Sequence, residues 1–259
     1  TWIGPMDWGV DFTELSTADY WNAANADPSD LVREGLGSVV SRLQKGLTID
    51  LNTSVVAIDR SGSGVQVETQ KGTIRTKACI LTVSTGVLNS GAICFTPSLP
   101  VWKQEAIANV PMGLLVKIGL QFNGDHFGFA PNHWLSYHVP NQTPVDACYF
   151  LTWPVGFDYS VGFAGGAFGW ELSAAAERAA IDFALEEVVK MAGSQARRKF
   201  VKCTMSGWAE NPLTLGAYAA AKPGHFHARH ALARPVGNRV YFCGEAMAGD
   251  HIALCSGAF

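Results

Sequence analysis

The sequence is poor in charge, because charged residues make up only 16% of its 259 positions, against roughly 25% in an average soluble domain. It also lacks a basic excess, since 19 Lys and Arg stand against 22 Asp and Glu and give a net charge of −3. Nucleic acids and anionic membrane surfaces select basic faces, so neither is predicted as a main partner. The 8 Trp and 14 Phe exclude a disordered chain, which has few aromatic residues.

Long apolar runs are missing as well. No stretch of about 18 uncharged apolar residues predicts a membrane-spanning helix, and no basic segment followed by an apolar run predicts a signal peptide. No two cysteines stand in a C-x-x-C spacing, and most lie in apolar runs. We therefore expect buried, reduced thiols and a cytoplasmic protein. The cysteines are Cys79, Cys94, Cys148, Cys203, Cys243 and Cys255.

The apolar pattern predicts strands and helices in alternation. Residues 47–51, SVVAIDR and GVQVETQ resemble short strands, with a hairpin at SGSG between the last two. Further strands are predicted at 113–122, 146–154, 159–165 and 198–206, and one long amphipathic helix at 171–192. A purely parallel sheet would need a helix between most strands. The predicted fold class is therefore mixed α+β, with two interleaved lobes, one of them built on a mixed sheet backed by helices.

The common short motifs of cofactor and metal sites are absent: there is no GxGxxG, Walker motif or HExxH. His225, His227 and His230 form an H-x-H-x-x-H pattern, which could bind a metal ion. No acidic residue or cysteine lies nearby in the sequence, however, and a solvated loop explains the pattern better. No metal site is predicted.

Two features point to chemistry. Lys117 lies inside the apolar run MGLLVKIGLQF, where a lysine costs desolvation free energy unless it is paired or faces a wet cavity. The alternative is a strand whose Lys117 face is solvated. Gly244 and Glu245 follow the strand-like run RVYF, and the carboxyl ends of strands in open α/β sheets bind ligands. The alternative there is a plain strand-to-helix connection.

Residues from about 31 to 123, including VREGLGSVVSRLQKGL and MGLLVKIGLQF, resemble the second half of the flavin-containing amine oxidases. So do GWAENPLTLGAYAAAKPG and NRVYFCGEAMAGDHIALCSGA near the end. That family includes monoamine oxidases, polyamine oxidases and flavin-dependent lysine demethylases. The resemblance implies FAD as cofactor, an amine as substrate and molecular oxygen as the second substrate. It implies hydride transfer to flavin N5, hydrolysis of the imine and formation of hydrogen peroxide.

The resemblance also implies roles for individual residues. Lys117 matches a lysine that reaches flavin N5 through a water and assists the reaction with oxygen. Trp208 matches a tryptophan near the flavin ring, and Tyr218 one wall of an aromatic cage for the amine. Leu254 takes the other cage position, where relatives often carry Tyr or Thr, so the substrate preference stays open. The residues implied to border the cofactor are Arg33, Gly35, Val55, Thr82, Val83, Ser84, Trp208, Gly244 and Glu245.

The sequence departs from the family in lacking the strand–GxGxxG–helix unit that holds the FAD pyrophosphate. We therefore expect a fragment or subunit whose dinucleotide-binding unit comes from a separate chain or a missing segment, and which binds FAD poorly and is inactive alone. Residues 31–110 and 209–259 would form a partial FAD-binding lobe, and 1–30 and 111–208 a substrate-binding lobe. Two alternatives are an L-amino-acid oxidase of the same superfamily and a non-catalytic binding module that has lost the cofactor.

Overall fold

The computed structural model describes residues 2–23, 30–137 and 146–258. The strands are β1 Val55–Asp59, β2 Val65–Thr69, β3 Gly72–Thr76, β4 Cys79–Leu81, β5 Cys94–Thr96, β6 Met112–Gly113, β7 Leu115–Phe122, β8 His133–Leu135, β9 Tyr149–Thr152, β10 Tyr159–Gly165, β11 Phe200–Met205, β12 Tyr218–Ala219 and β13 Val240–Phe242. The helices are α1 Thr17–Asn22, α2 Leu36–Leu43, α3 Thr85–Ser90, α4 Val101–Asn109, α5 Gly166–Ala174, α6 Glu177–Ala192, α7 Gln195–Lys199, α8 Ala228–Ala233 and α9 Cys255–Ala258. The predicted mixed α+β class is confirmed.

The first sheet has the order β3-β2-β1-β5. β1 and β2 are antiparallel and joined by the SGSG turn, as predicted, whereas β5 runs parallel to β1. One face of this sheet packs on a core that also includes α3, α4, α8 and the two-stranded β4–β13 sheet. Its most buried side chains include Ile58, Val65, Val110, Leu232 and Val240.

The second sheet has the order β11-β7-β10-β9-β8 and is antiparallel throughout, so the prediction of a mixed sheet in this lobe is wrong. Side chains alternate along β7, so that Val116, Ile118, Leu120 and Phe122 are buried in a second core. α5 and α6 contribute Phe168, Leu172, Ala184 and Leu185 to that core. The opposite face of β7 presents Lys117, Gly119 and Gln121. The helices therefore cover one face of the sheet and leave the other open.

The predicted single helix at 171–192 is wrong in its bounds. α5 already begins at Gly166 and ends at Ala174, and α6 begins at Glu177. Ala175 between them is extended, with φ −71° and ψ 163°. This break lets Phe168 of α5 and Phe183 of α6 meet with ring centroids 5.0 Å apart, which a continuous straight helix would not bring together on the same core.

Two other expectations fail. Residues 47–51 form no strand in the described part of the chain, and Leu47 and Leu51 are exposed. The alternating apolar residues of this run therefore do not mark a strand. The cysteines are free thiols, but only Cys148 is buried, whereas Cys94, Cys243 and Cys255 are exposed. Apolar neighbours in the sequence do not bury a cysteine at a strand end or a turn. None of the described helices is both long and apolar enough to cross a lipid bilayer.

Candidate functional site

Two parallel strands end side by side at one edge of the first core. β4 pairs with β13, with Leu81 opposite Phe242, and the Cys243 N–H donates to the Leu81 carbonyl at 3.0 Å. The segments that follow the two strands therefore leave the sheet together and line a cavity of about 370 Å³. The structure thus brings together five of the residues predicted to border the cofactor, namely Thr82, Val83, Ser84, Gly244 and Glu245.

Ser84 connects this cavity to the loop that carries Trp208. Its Oγ accepts from the Val87 N–H at 3.1 Å and so caps α3, and it donates to the Thr214 carbonyl at 2.5 Å. The Thr214 hydroxyl in turn donates to the Trp208 carbonyl at 2.9 Å. The indole of Trp208 is 43% exposed. The predicted residues Ser84 and Trp208 are therefore joined through one threonine.

The Glu245 carboxylate accepts hydrogen bonds from two backbone N–H groups. Its Oε1 accepts from the Ala219 N–H at 2.9 Å, and its Oε2 accepts from the Ala253 N–H at 3.1 Å. Burial raises the pKa of the Glu245 carboxyl, and the two N–H groups together with Arg229 partly offset this rise. The carboxylate therefore fixes the position of β12 and of residue 253 against the turn after β13.

Tyr218 lies in β12, opposite Gly113 of β6. Its hydroxyl donates to the Met6 carbonyl at 3.1 Å. Burial, followed by the negative charges of Asp7 and Glu245, raises the pKa of the Tyr218 phenol well above its ordinary value, so the ring is neutral at physiological pH. A Cβ on Gly113 would lie 2.6 Å from the Trp8 carbonyl, so glycine is required there for the N-terminal segment to pass.

Lys117 lies at the centre of the open face of the second sheet. Its backbone exchanges two hydrogen bonds with Ser206, from the Lys117 N–H to Ser206 Oγ and from the Ser206 N–H to the Lys117 carbonyl, both at 2.9 Å. Its ammonium lies 5.8 Å from the centroid of the Phe163 ring. The side chain is exposed and lines a concavity of about 560 Å³ together with Gln121, Val161 and Lys202. Lys117 therefore lies on a solvated strand face, as the second interpretation of its sequence position predicts.

The remaining predicted residues lie in other places. Gly35 has φ 81° at the start of α2, and Val55 begins β1. The Arg33 guanidinium donates to the Val155 carbonyl at 3.0 Å and lies 5.0 Å from the centroid of the Phe157 ring. It thus contacts the loop between β9 and β10. Leu254 is partly buried and follows Ala253, whose N–H is bound by Glu245.

The histidine pattern gives no metal site. The His225 and His227 rings lie 5.8 Å apart, centroid to centroid, and His230 lies within α8 rather than in a loop. Within the described ranges, no group of three or more His, Cys, Asp or Glu residues is arranged to hold a metal ion.

Sequence reasoning missed a buried ion pair next to the cavity and a buried lysine in α4. Asp19 and Arg229, 0% and 3% exposed, form an ion pair across 210 positions of the chain. Lys103 is fully buried in α4. No local pattern could reveal the first pair, because nothing in the sequence says which distant residues meet. Lys103 could have been noticed, since it lies in the partly apolar run VWKQEAIANV.

The chain is similar to several amine oxidases in sequence or in structure. The profile of the family described as flavin-containing amine oxidoreductase matches residues 8–259. Polyamine oxidase 4 of Oryza sativa subsp. japonica is 35% identical over 235 residues, which are 88% of this chain and 46% of the relative. The chain therefore spans about half the length of the relatives it matches.

Two solved structures share the fold. Cyclohexylamine oxidase from Brevibacterium oxydans superposes with a TM-score of 0.63 at 21% identity, over 79% of this chain and 45% of that one. A double mutant of putrescine oxidase superposes with a TM-score of 0.66 at 17% identity, over 87% of this chain and 50% of that one. The family profile covers nearly the whole sequence and shows that the chain belongs to the flavin-containing amine oxidoreductase family.

Proposed function

We propose that this chain forms the substrate side and part of the cofactor side of an FAD-dependent amine oxidase. The observation that carries the proposal is the meeting of residues 82–84 and 244–245 at the carboxyl ends of β4 and β13. Glu245 ties this edge to β12, which carries Tyr218. The segments proposed to bind the cofactor and the aromatic side chain of Tyr218 are thus held together by Glu245.

The residues at the cavity suit a dinucleotide. A Cβ built on Gly244 would meet only the Thr82 carbonyl, at 3.8 Å, so a ligand can approach the backbone there. Thr82, Val83, Ser84, Gly244 and Glu245 would hold part of the FAD, with Arg33, Gly35 and Val55 as further candidates from the family resemblance.

The redox chemistry would belong to the cofactor. When bound, FAD would accept a hydride from the carbon next to the amine nitrogen and return the electrons to oxygen, which gives hydrogen peroxide, while water hydrolyses the imine. This chain's residues would orient the amine. The neutral ring of Tyr218 and the indole of Trp208 would offer faces that attract a cationic or lone-pair-bearing amine, and Leu254 would close the opposite side.

Lys117 would act on the oxygen half of the reaction. It is a cation on the open sheet face beside the aromatic ring of Phe163, and its backbone is fixed by Ser206, two residues before Trp208. A fixed positive charge stabilises negative charge that develops during oxygen reduction. Its role would be to place that charge and a water molecule near the reacting atoms.

We propose the division of the chain that the family resemblance implies. Residues 31–110 and 209–259 would form the cofactor side, and 1–30 and 111–208 the substrate side. The membership of the two larger cores supports the boundary near residue 110, since the first core draws its residues from 58–110 and 219–246, and the second from 114–196. It does not support the placement of 1–30, because Trp8 and Leu15 pack with Ala220 and Ile252.

A further polypeptide unit would complete the cofactor site, either from the same chain or from a separate one. α2 supports this proposal because its apolar side chains face outward. Leu36, Val39, Val40 and Leu43 are all exposed, at 39–55%, and α2 has no buried residue. An apolar stripe on a helix normally packs against a partner. Without that partner, FAD binding would be weak and the chain inactive.

A reconstitution experiment tests the proposed function. The protein, completed with a dinucleotide-binding unit, is loaded with FAD and assayed for hydrogen peroxide with monoamines, polyamines and L-amino acids. We expect turnover of amines and a loss of turnover in Tyr218→Ala, with Tyr241→Ala as the matched control on an exposed tyrosine. Turnover of L-amino acids alone would instead support the amino-acid oxidase. Stoichiometric FAD binding without any turnover would support the non-catalytic module.

The positions of three arginines disfavour an amino-acid oxidase, which needs a guanidinium facing the flavin to pair with the substrate carboxylate. Arg178 lies on α6 with a 91% exposed side chain, and Arg197 lies on α7 and pairs with Glu186. Arg198 is also on α7. α6 belongs to the face of the sheet opposite Lys117.

A further inference from the structure

A buried ion pair joins the N-terminal segment to the region between β12 and β13. Arg229 Nε donates to Asp19 Oδ1 at 2.8 Å, and Arg229 Nη2 donates to Asp19 Oδ2 at 2.7 Å. This two-pronged geometry fixes the guanidinium plane as well as its position. Both side chains are almost fully enclosed, at 0% and 4% exposure.

The remaining polar atoms of the pair bind backbone next to the candidate site. Arg229 Nη2 also donates to the Ala219 carbonyl at 2.9 Å, and Nη1 donates to the Ala246 carbonyl at 2.8 Å. Asp19 Oδ2 accepts from the Ala221 N–H at 2.6 Å. Ala219 directly follows Tyr218, and Ala246 directly follows Glu245. One guanidinium therefore holds the two segments that carry the proposed amine and cofactor contacts.

Glu245 holds the same strand from the other side of the backbone. The Ala219 N–H donates to Glu245 while the Ala219 carbonyl accepts from Arg229. The peptide groups next to Tyr218 are thus fixed in both directions by buried charged side chains. Hydrogen bonds to ionised groups are stronger and shorter than those between neutral groups, so this arrangement restricts movement of Tyr218.

We propose that Asp19 and Arg229 are positioning residues that set Tyr218 against the Gly244–Glu245 turn, so that the amine side and the cofactor side of the site keep one relative placement. The roles of the two sides rest on the proposed function, but the placement itself does not. Stability alone does not account for the pair, since a buried ion pair can often be replaced by apolar side chains at no loss of stability. Its three hydrogen bonds to backbone groups next to the site do account for it.

The pKa of the Tyr218 phenol depends on how the side chain is enclosed, so its titration tests the placement of Tyr218 without any flavin. Its titration is followed in the 259-residue chain by absorbance near 295 nm, and Tyr218→Phe identifies its share of the signal. We expect Arg229→Met to lower the apparent pKa of Tyr218 by about one unit or more, because the phenol loses its enclosed position. Asp19→Asn keeps part of the hydrogen bonding, and we expect a smaller shift in the same direction.

Leu120→Ala is the matched control, because Leu120 is fully buried in the other core. We expect it to lower the melting temperature at least as much as Arg229→Met and to leave the Tyr218 titration unchanged. An unchanged titration in Arg229→Met, or an equal shift in Leu120→Ala, would overturn the positioning role. If Arg229→Met fails to fold, Arg229→Lys and Asp19→Asn decide the question by the same criterion. A negative result here leaves the peroxide assay unaffected, so the two failures are distinguishable.

Discussion

Two lysines lie in apolar stretches of this chain, and the fold places them in opposite surroundings. Lys103 of α4 is fully buried, and its ammonium donates to the carbonyls of Ala231, Leu232 and Arg234 at 3.1, 2.5 and 2.6 Å. Lys117 of β7 is exposed on the open sheet face. The sequence drew attention to Lys117, yet Lys103 is the one that the fold encloses.

The two lysines differ in burial because their side chains have different neighbours. α8 ends at Ala233, and the last carbonyls of a helix lack partners within the helix and carry partial negative charge. Lys103 supplies three donors to that end, and its ammonium also lies 3.9 Å from the centroid of the Phe242 ring. Lys117 instead occupies the polar side of an alternating strand. A buried lysine with every donor used is structural, whereas a lysine on a concave face is available to a ligand.

The largest expected effect is on stability. Lys103→Met leaves three carbonyls without their donor, so we expect a loss of about 3 kcal/mol in the free energy of unfolding, measured by urea denaturation. Lys117→Met is the matched control, and we expect a change within about 0.5 kcal/mol because the side chain is exposed. Equal losses in the two variants would remove the distinction between the two lysines.

The pH dependence of stability sharpens the same comparison. Burial, and then the charge of Arg234, lowers the pKa of Lys103 to about 8. Between that value and the ordinary lysine range, the unfolded chain holds a proton that the native state has released, so the contribution of Lys103 to stability rises with pH. We expect the free energy of unfolding of the wild type relative to Lys103→Met to rise by about 2 kcal/mol between about pH 8 and about pH 9.5. A difference that is flat or falls over this window would contradict the lowered pKa.

A smaller effect concerns the backbone that supports Lys117. Ser206→Ala removes the oxygen that accepts from the Lys117 N–H, and we expect a loss of about 1 kcal/mol in the free energy of unfolding. Ser41→Ala is a suitable control, because Ser41 is exposed on α2 and bonds only to the Ser38 carbonyl within its own helix. If Ser206→Ala costs no more than the control, Ser206 does not hold Lys117 in place.

The sequence predicts much of the local structure but not the contacts between distant segments. β1, β2 and β10 follow from alternation and from turn residues, and Ser16 caps α1 as its residue type suggests, with Oγ accepting from the Asp19 N–H at 3.4 Å. The separation of α5 from α6 could not be predicted, because no glycine or proline marks it and the linking residues are Ala175 and Ala176. It is the packing of two phenylalanines on one core that requires the break.

Part of the candidate site could be predicted from the sequence pattern, because Gly244 and Glu245 follow a strand-like run. Thr82, Val83 and Ser84 are predicted only from the family resemblance. That the two segments share one cavity depends on β4 pairing with β13, which no local pattern specifies. Arg229 is hidden for the same reason, since its partners lie 10 to 210 positions away.

The role of Lys117 in the proposed reaction is the central claim, and the rate at which oxygen reoxidises the reduced flavin tests it most directly. The measurement compares Lys117→Met with Lys202→Met in the flavin-loaded, completed enzyme, because Lys202 lines the same concavity. We predict that Lys117→Met slows reoxidation on the order of a hundredfold, while Lys202→Met leaves it within a factor of about two. Equal rates in both variants and the wild type would contradict the account.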